Sequence, residues 1–161
     1  MKGVGIMDST DAAILNELKN NARIANLDLA KKVHLSPSAV LERVRRLRAN
    51  GIIRGFQTRF DCVKLGLGLT VLIELRIAQN IGADGGIGRK LAAIPEIIEI
   101  YDVAGEFDYL LKAVTANSET LGALLVRIGR IPGILSSRTT LIISTLKEET
   151  APDLNLPEVK K

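Results

Sequence analysis

The amino-acid sequence predicts an α+β protein made of two small domains, a helical domain followed by a domain of strands and helices. Three observations lead to this fold class. Apolar residues recur at helical spacing through the first fifty residues, and from Leu69 they alternate with polar residues as in a half-buried strand. The second half then repeats a strand–helix–strand pattern, with Pro95 and Pro132 at equivalent places 37 residues apart. We expect the domains at residues 1–62 and 63–149, with a C-terminal tail at 150–161.

The composition indicates a folded, globular chain and argues against several kinds of site. Of the 161 residues, 47% are apolar and 25% are charged, which is ordinary for a globular protein. Aromatic residues make up only 3%, too few for a platform on which single-stranded nucleic acid stacks. Cys62 and His34 are each alone of their type, so we predict no disulfide, no metal site and a structural thiol at Cys62. With no signal peptide and no uninterrupted apolar span, we expect a cytoplasmic protein.

Positive charge is concentrated in the first domain. Residues 1–59 hold eleven Lys and Arg against five Asp and Glu, a net charge of +6, whereas residues 60–161 hold eleven against thirteen, a net charge of −2. A basic module followed by a mildly acidic one suggests that the first domain binds a polyanion and that the second has another task. The alternative is a charged face that contacts only solvent.

The first domain is expected to contain three helices. Asp8 or Ser9 can cap the first helix, and Asn26 can cap the second. The apolar residues that each helix places on one face are Ile14, Leu15 and Leu18 in the first, and Leu29, Ala30 and Val33 in the second. Both helices are too short to be stable alone, so they must pack against the third.

The third helix combines an apolar back with a cationic front. It begins at Ser36-Pro37, a pair typical of an N-cap and first helical residue, and extends to about Asn50. Small residues in its first turn allow close approach to DNA, and the arginines beyond them can reach phosphates or guanine. The residues expected to contact DNA are Ser36, Ser38, Ala39, Glu42, Arg43, Arg45, Arg46 and Arg54. The sequence therefore predicts a helix-turn-helix whose second helix enters the major groove.

The segment Ile52–Arg59 is expected to form two short strands around a tight turn, after Gly51 ends the third helix. This makes the domain a winged helix-turn-helix, with Arg54 and Arg59 along the DNA backbone. The alternative is a three-helix domain whose arginines serve only solubility. Because the helices, the wing, the Ser-Pro cap and the charge asymmetry agree with one another, DNA binding is the favoured interpretation.

The second domain is expected to have the β-α-β-β-α-β order of a ferredoxin-like sandwich. Its elements are a strand at Leu69–Ile77, a helix through Ile87 and Leu91 stopped by Pro95, strands at Ile97–Val103 and Asp108–Val114, a helix capped by Asn117 or Ser118, and a strand at Ile134–Leu146. Glycines 85, 86 and 88 weaken the start of the first of these helices. One sheet face is left free to pack on a second subunit.

No catalytic constellation is visible in the second domain, and we expect neither an enzyme nor a cofactor. The carboxylates Asp102, Glu106 and Asp108 lie close together around a turn. They can be read as a general acid/base pair or as solvated turn carboxylates, and the second reading is favoured.

Several motifs in one order resemble the Lrp/AsnC family of transcriptional regulators. They are Asp11-Ala12-Ala13-Ile14-Leu15, Asn21-Ala22-Arg23, Leu29-Ala30, Leu35-Ser36-Pro37, Glu42-Arg43-Val44-Arg45-Arg46-Leu47, Gly51-Ile52-Ile53 and Ala104-Gly105-Glu106-Phe107-Asp108-Tyr109. The resemblance runs from about Met7 to Lys147. It implies a winged helix-turn-helix linked to a ligand-sensing domain, dimers that assemble into tetramers or octamers, an amino-acid effector, and control of amino-acid or related metabolism. It places the recognition helix at Ser36–Arg48.

The resemblance also places an effector site at the loop Gly105–Asp108, facing the last strand of a neighbouring subunit. The residues it assigns to this site are Gly105, Glu106, Asp108, Arg138, Thr139 and Thr140. Asp108 has two readings: it binds the ammonium group of a free amino acid, or it caps the hairpin turn. Gly105 either provides a positive φ or lets a ligand approach the backbone. An architectural DNA-packaging protein whose second domain only oligomerises remains the alternative function.

Overall fold

The computed structural model describes residues 7–78, 86–149 and 151–154. It divides the chain into two compact units. One unit holds residues 1–59 together with 147–161, and the other holds residues 60–146. The chain therefore leaves the first unit after Arg59, a few residues before the boundary expected at 62, and it returns to that unit at Lys147.

Three helices form the first unit: α1 (Ser9–Asn20), α2 (Asn26–Lys32) and α3 (Pro37–Ala49). They bury one apolar cluster, which consists of Ile14, Leu29, Ala30, Val40 and Leu47. Asp8 caps α1 and Ser36 caps α3, as predicted. The predicted cap of α2 is wrong, because that helix begins at Asn26 itself. The Asn26 amide instead donates a hydrogen bond of 2.8 Å to the Pro37 carbonyl, and so ties α2 to the start of α3.

The predicted wing is not formed, since no residue of 52–59 lies in a strand. Ile52 and Ile53 fold back on α3, where both backbone N–H groups donate to the Leu47 carbonyl at 3.0 and 3.2 Å, and their side chains pack on the helical core. An isolated two-stranded ribbon is marginally stable in water. With both isoleucines packed on the helices, the segment has no apolar face left to hold two strands together.

The second unit has the predicted β-α-β-β-α-β order. Its elements are β1 (Leu69–Ile77), α4 (Ile87–Ala92), β2 (Ile97–Asp102), β3 (Tyr109–Thr115), α5 (Ser118–Gly129) and β4 (Ile134–Leu141). The four strands form one antiparallel sheet in the order β2-β3-β1-β4, which confirms the ferredoxin-like topology. Asn117 caps α5 with a reciprocal pair of hydrogen bonds to Thr120.

One face of this sheet is covered by the helices. The alternation predicted for β1 buries Val71, Ile73 and Leu75 with side chains of α4 and α5, including Leu91 and Leu124. The residues between them, such as Glu74, belong to the opposite face of the pleated sheet. We call this opposite face the open sheet face; it carries the cavity described below.

Two details of the second unit differ from the expectation. The last strand ends at Leu141 rather than Leu146, because β1 begins at Leu69 and offers no further partner after the bond from the Ile142 N–H to the Thr70 carbonyl. Gly86 begins α4 with a φ of +71°, a left-handed conformation that favours glycine, so its role is to start the short helix. Gly85 lies outside the described residues.

Candidate DNA-binding surface and ligand pocket

The third helix presents most of the residues expected to contact DNA. Val40 and Leu47 are buried, so the other side of α3 faces outward. The Ser36 hydroxyl accepts a hydrogen bond from the Ala39 N–H at 3.2 Å, which fixes the first turn. The predicted residues that are exposed are Ser36, Ser38, Glu42, Arg45, Arg46 and Arg54. Ala39 and Arg43 are half-buried.

Two of the predicted DNA-contacting arginines take part in an ion-pair cluster with the start of α1. Arg43 lies 2.7 Å from Asp8 and 2.8 Å from Asp11, and Arg46 lies 2.7 Å from Asp11. We call these four residues the α1–α3 ion cluster. Asp11 is only 1% exposed, so two guanidinium groups compensate its buried charge. The cluster holds the recognition helix against α1.

The charges of this cluster shift its ionisation. Burial alone would raise the pKa of Asp8, but the hydrogen bond from the Asp11 N–H and the Arg43 guanidinium outweigh it and hold that pKa below its ordinary value. The hydrogen bonds to Asp8 and Asp11 raise the pKa of Arg43. Sequence reasoning missed Asp11, although the spacing Asp8-x-x-Asp11 at a helix start and the spacing Arg43-x-x-Arg46 on one helix face were available as signals.

The other arginines predicted to contact DNA differ in their partners. Among the described residues, Arg45 and Arg54 form no ion pair, and both are exposed. Arg59 is different, since its guanidinium binds the Glu148 carboxylate and donates to the Glu148 carbonyl at 3.1 Å. Fewer of the predicted DNA-contacting arginines are therefore without an ion pair than the sequence suggested.

A shallow cavity of about 300 Å³ lies on the open sheet face, beside the loop between β2 and β3. Three of the six predicted effector residues line it: Gly105, Glu106 and Arg138. Other lining residues include Phe107, which lies in the predicted effector loop, and Glu74 and Leu110, which sequence reasoning missed. In the sheet register, Glu74 of β1 lies opposite Leu110 of β3 on one side and opposite Arg138 of β4 on the other. The register of the sheet thus assembles the pocket from separate parts of the chain.

Opposite charges lie side by side in this cavity. The Arg138 guanidinium binds the Glu74 carboxylate through two contacts of 2.5 and 3.0 Å, and it lies 4.4 Å from the centre of the Phe107 ring. Its hydrogen bond lowers the pKa of Glu74, and the pKa of Arg138 is raised in return. Arg76 donates to the Glu106 carbonyl at 2.9 Å and so anchors the loop. The pocket offers a cation, a carboxylate and an aromatic ring within one small volume.

The other three predicted effector residues, Asp108, Thr139 and Thr140, do not line this cavity of the single chain. The Asp108 carboxylate accepts a hydrogen bond of 2.8 Å from the Ile77 N–H, and the Asp108 N–H donates to the Leu75 carbonyl at 2.9 Å. These bonds support the turn-cap reading of Asp108. Thr139 pairs with Ile73, whose side chain lies on the helix-covered face, and neither Thr139 nor Thr140 lines the cavity.

Gly105 does not have a positive φ, so that reading of the glycine is wrong. Nothing in the described chain lies within 4 Å of the place where its Cβ would be. The open backbone beside the cavity leaves close approach of a ligand as the remaining reason for a glycine there.

Comparisons with known proteins match both units. Residues 7–48 match the AsnC-type helix-turn-helix domain, and residues 70–152 match the Lrp/AsnC ligand binding domain. The chain belongs to the Lrp/AsnC family. It is thus a DNA-binding transcriptional regulator of the Lrp/AsnC type. The leucine-responsive regulatory protein of Haemophilus influenzae is 36% identical over 144 residues, which cover 88% of this chain and 87% of that relative.

Solved structures of Lrp/AsnC proteins share the fold. A transcriptional regulator from Neisseria meningitidis in complex with L-methionine matches with a TM-score of 0.87 and 26% identity, over 93% of this chain and 97% of that one. The feast or famine regulatory protein of M. tuberculosis complexed with L-methionine matches with a TM-score of 0.86 and 29% identity, over 92% of this chain and all of that one.

Within the described residues, no helix is both long enough and apolar enough to cross a membrane. Nor do the described residues contain a group of three His, Cys, Asp or Glu side chains placed to hold a metal ion.

Proposed function

We propose that this Lrp/AsnC protein binds specific operator sequences in double-stranded DNA and that a free amino acid modulates this binding. The observation that carries the proposal is the pocket on the open sheet face, where Glu74 and Arg138 place opposite charges beside Phe107. The regulator acts in the cytoplasm on genes of amino-acid or related metabolism. It needs no cofactor and has no catalytic activity of its own.

The DNA contacts are divided along α3. Ser38, Ala39 and Glu42 lie in its first turns, where a recognition helix meets base edges. Arg45 and Arg54 provide phosphate contacts, because both are exposed and form no ion pair among the described residues. Arg43 and Arg46 act mainly through the α1–α3 ion cluster, which fixes the angle of α3.

The pocket suits a zwitterion. The Arg138 guanidinium can bind an α-carboxylate, while the Glu74 and Glu106 carboxylates are close enough to the same cavity to receive an α-ammonium group. Phe107 supplies an apolar surface for the effector's side chain. The L-methionine complexes of two similar proteins support this choice of ligand.

Assembly follows from the open sheet face. Tyr101 is exposed on this face, where it lies opposite Leu110 of the neighbouring strand. We expect a second copy to cover this face, as a homodimer that assembles further into a tetramer or octamer. A dimer then offers two recognition helices to half-sites about one DNA turn apart, or a multiple of that distance.

Selection of genomic DNA fragments by the purified protein tests this function. The selection is done with and without a mixture of the twenty amino acids, and each selected fragment is compared with a shuffled sequence of equal composition. We expect a shared pseudo-palindromic sequence and an affinity for it that changes with one or a few amino acids. Equal binding to selected and shuffled DNA would instead favour an architectural, DNA-packaging role.

A further inference from the structure

Residues 147–149 and 151–154 return to the first unit, where Glu149, Asp153 and Leu154 contact its first helix. The Asn16 side chain forms two hydrogen bonds with the main chain of Leu154. Its amide donates to the Leu154 carbonyl at 3.0 Å, and its oxygen accepts from the Leu154 N–H at 2.9 Å. This pairing satisfies both backbone groups of one residue, as a neighbouring strand would. Asn16 of the first helix therefore binds the backbone of the tail at Leu154.

Carboxylates on the tail meet cations on the same unit. Lys19 lies one helical turn beyond Asn16, 2.7 Å from Asp153 and 2.8 Å from Glu149, and its side chain is only 14% exposed. The hydrogen bonds that the Lys19 ammonium group donates to Asp153 and Glu149 raise the pKa of Lys19. Arg59 binds Glu148 at the residue where the chain leaves the unit. Residues 147–154 hold three acidic residues and one lysine, a net charge of −2, whereas residues 1–59 have a net charge of +6.

These contacts are stronger evidence for docking than surface ion pairs alone. An exposed ion pair contributes about 0 to 1 kcal/mol because solvent screens it. Here the ion pairs accompany a main-chain pairing of fixed register, and Lys19 is largely covered. None of the tail contacts described above involves α3, so the recognition surface stays open while the tail is bound.

We propose that Asn16 and Lys19 form a docking site for the chain's own acidic tail, and that this tail carries the effector signal to the DNA-binding unit. Arg138 of the ligand pocket lies on β4, and the chain runs from β4 directly into the docked segment. Only eight residues lie between Arg138 and Lys147 in the sequence. A shift of β4 on ligand binding is thereby passed to α1. The inference rests on the proposed effector response.

The full-length Lys19→Glu variant tests this proposal, since it places a like charge against Asp153 and Glu149. The triple variant Lys19→Glu, Glu149→Lys, Asp153→Lys restores opposite charges. Lys64→Glu serves as the matched control, because it makes the same charge change at an exposed lysine that pairs with Asp61 in the other unit. Three quantities are measured: hydrogen exchange of the Leu154 amide, L-methionine binding by calorimetry, and the ratio of operator affinities with and without L-methionine.

We expect Lys19→Glu to lose protection of the Leu154 amide and to bind L-methionine as the parent does. Its operator affinity should stay within a few fold of the parent's, while the affinity ratio falls to about 1. The triple variant should recover both protection and ratio, and Lys64→Glu should retain them. An unchanged ratio in a variant that has lost Leu154 protection would overturn signal transmission by the tail, and unchanged protection would overturn the docking site.

A parent protein that binds no amino acid would be a different failure. The proposed effector function would then be wrong, and signal transmission with it. Leu154 exchange would still decide the docking site, because protection that is lost in Lys19→Glu and regained in the triple variant does not depend on any ligand.

Discussion

Individual arginines of the recognition helix have different tasks. The sequence shows Arg43, Arg45 and Arg46 in one run, and helical periodicity places the last two together on the polar face. The structure separates them by their partners, since Arg46 binds the buried carboxylate of Asp11 and Arg45 forms no ion pair in the described part of the chain. Periodicity predicts the face of a helix but not the contacts a long side chain makes with a neighbouring helix.

Single substitutions should separate DNA contact from support of the helix. Arg45→Ala is expected to weaken operator binding by about 1–3 kcal/mol and to leave the melting temperature unchanged, because it removes only a phosphate or base contact. Its plot of log affinity against log salt should be less steep by about one unit. Arg46→Ala should instead lower the free energy of unfolding by about 1–2 kcal/mol, since Asp11 loses one of two guanidinium partners. Equal effects of both variants on stability would contradict this division.

Acid should weaken the α1–α3 ion cluster in a definite pH range. The pKa of Asp8 is lower in the folded chain than in the unfolded chain, so its contribution to stability is fully present above about pH 4 and is lost as the pH falls through the folded pKa. Asp8→Asn removes the charge and keeps a good N-cap. Urea unfolding should show this variant less stable than the parent by up to about 1 kcal/mol at pH 7, a value limited by solvent screening. The difference should shrink as the pH falls below about 4 and through the folded pKa of Asp8; a constant difference would show that the charge is not its cause.

Two substitutions near the pocket should have opposite effects on the response to the amino acid and on the stability of the fold. Arg138→Ala is expected to abolish the response to the amino acid with little change in melting temperature, because it removes the cation of an open cavity. Asp108→Ala should lower the free energy of unfolding by about 1–2 kcal/mol, since the Ile77 N–H loses its acceptor, and should keep the response. Calorimetric titration and thermal unfolding of both variants measure the two effects. If Asp108→Ala lost the response to the amino acid while Arg138→Ala bound the amino acid as the parent does, Asp108 rather than Arg138 would belong to the binding site.

At the scale of elements, the sequence predicts a helix or strand whose bounds depend only on the residues of that segment. Strand β1 matches its expected bounds because every odd-numbered residue from Leu69 to Ile77 is apolar, a period of two that indicates a strand, and α3 starts where Ser36-Pro37 indicates. The wing and the end of β4 failed because both depend on a partner strand. Ile52 and Ile53 have strand propensity, yet the nearest apolar surface is the helical core. For the pocket, Glu74 was missed because the sheet register that brings it to Arg138 is not encoded locally.

The glycines around the start of α4 offer a test at this scale. Gly86→Ala is expected to lower the free energy of unfolding by about 1 kcal/mol, since its φ of +71° strains any residue with a Cβ. Gly88→Ala is the matched control, because its added methyl would meet the Tyr109 hydroxyl at an ordinary 3.7 Å inside a helix. Alanine there should be neutral or stabilising by up to about 1 kcal/mol. Denaturant unfolding of both variants distinguishes them, and equal destabilisation would contradict the conformational role of Gly86.

At the scale of the whole molecule, the open sheet face should control assembly. Tyr101 pairs with Leu110 on this face and is half exposed in the single chain. Sedimentation velocity at micromolar concentration should show the parent as a dimer or larger. Tyr101→Lys should shift it towards the monomer, because a second copy would have to bury the added charge without a partner. Unaltered sedimentation of a folded variant would exclude Tyr101 from the subunit contact.

The division of the molecule into units could be predicted only in part. Glycines and the change of periodicity place a joint near residue 62, close to the observed crossing after Arg59. The return of the tail could not be predicted, because contacts such as Lys19 with Asp153 join residues 134 apart and leave no periodic signal. Charges in a polar tail look the same in sequence whether they meet solvent or a helix.

The return of the tail also sets an order of events during synthesis. Chains emerge from the ribosome N-terminus first, and domains generally fold as they emerge. Residues 7–59 can therefore form their three helices early, but Asn16 and Lys19 obtain their partners only after residue 154 has left the ribosome. Nascent chains, and chains terminated before residue 149, thus carry α1 without its tail contacts, although their three helices can already be folded.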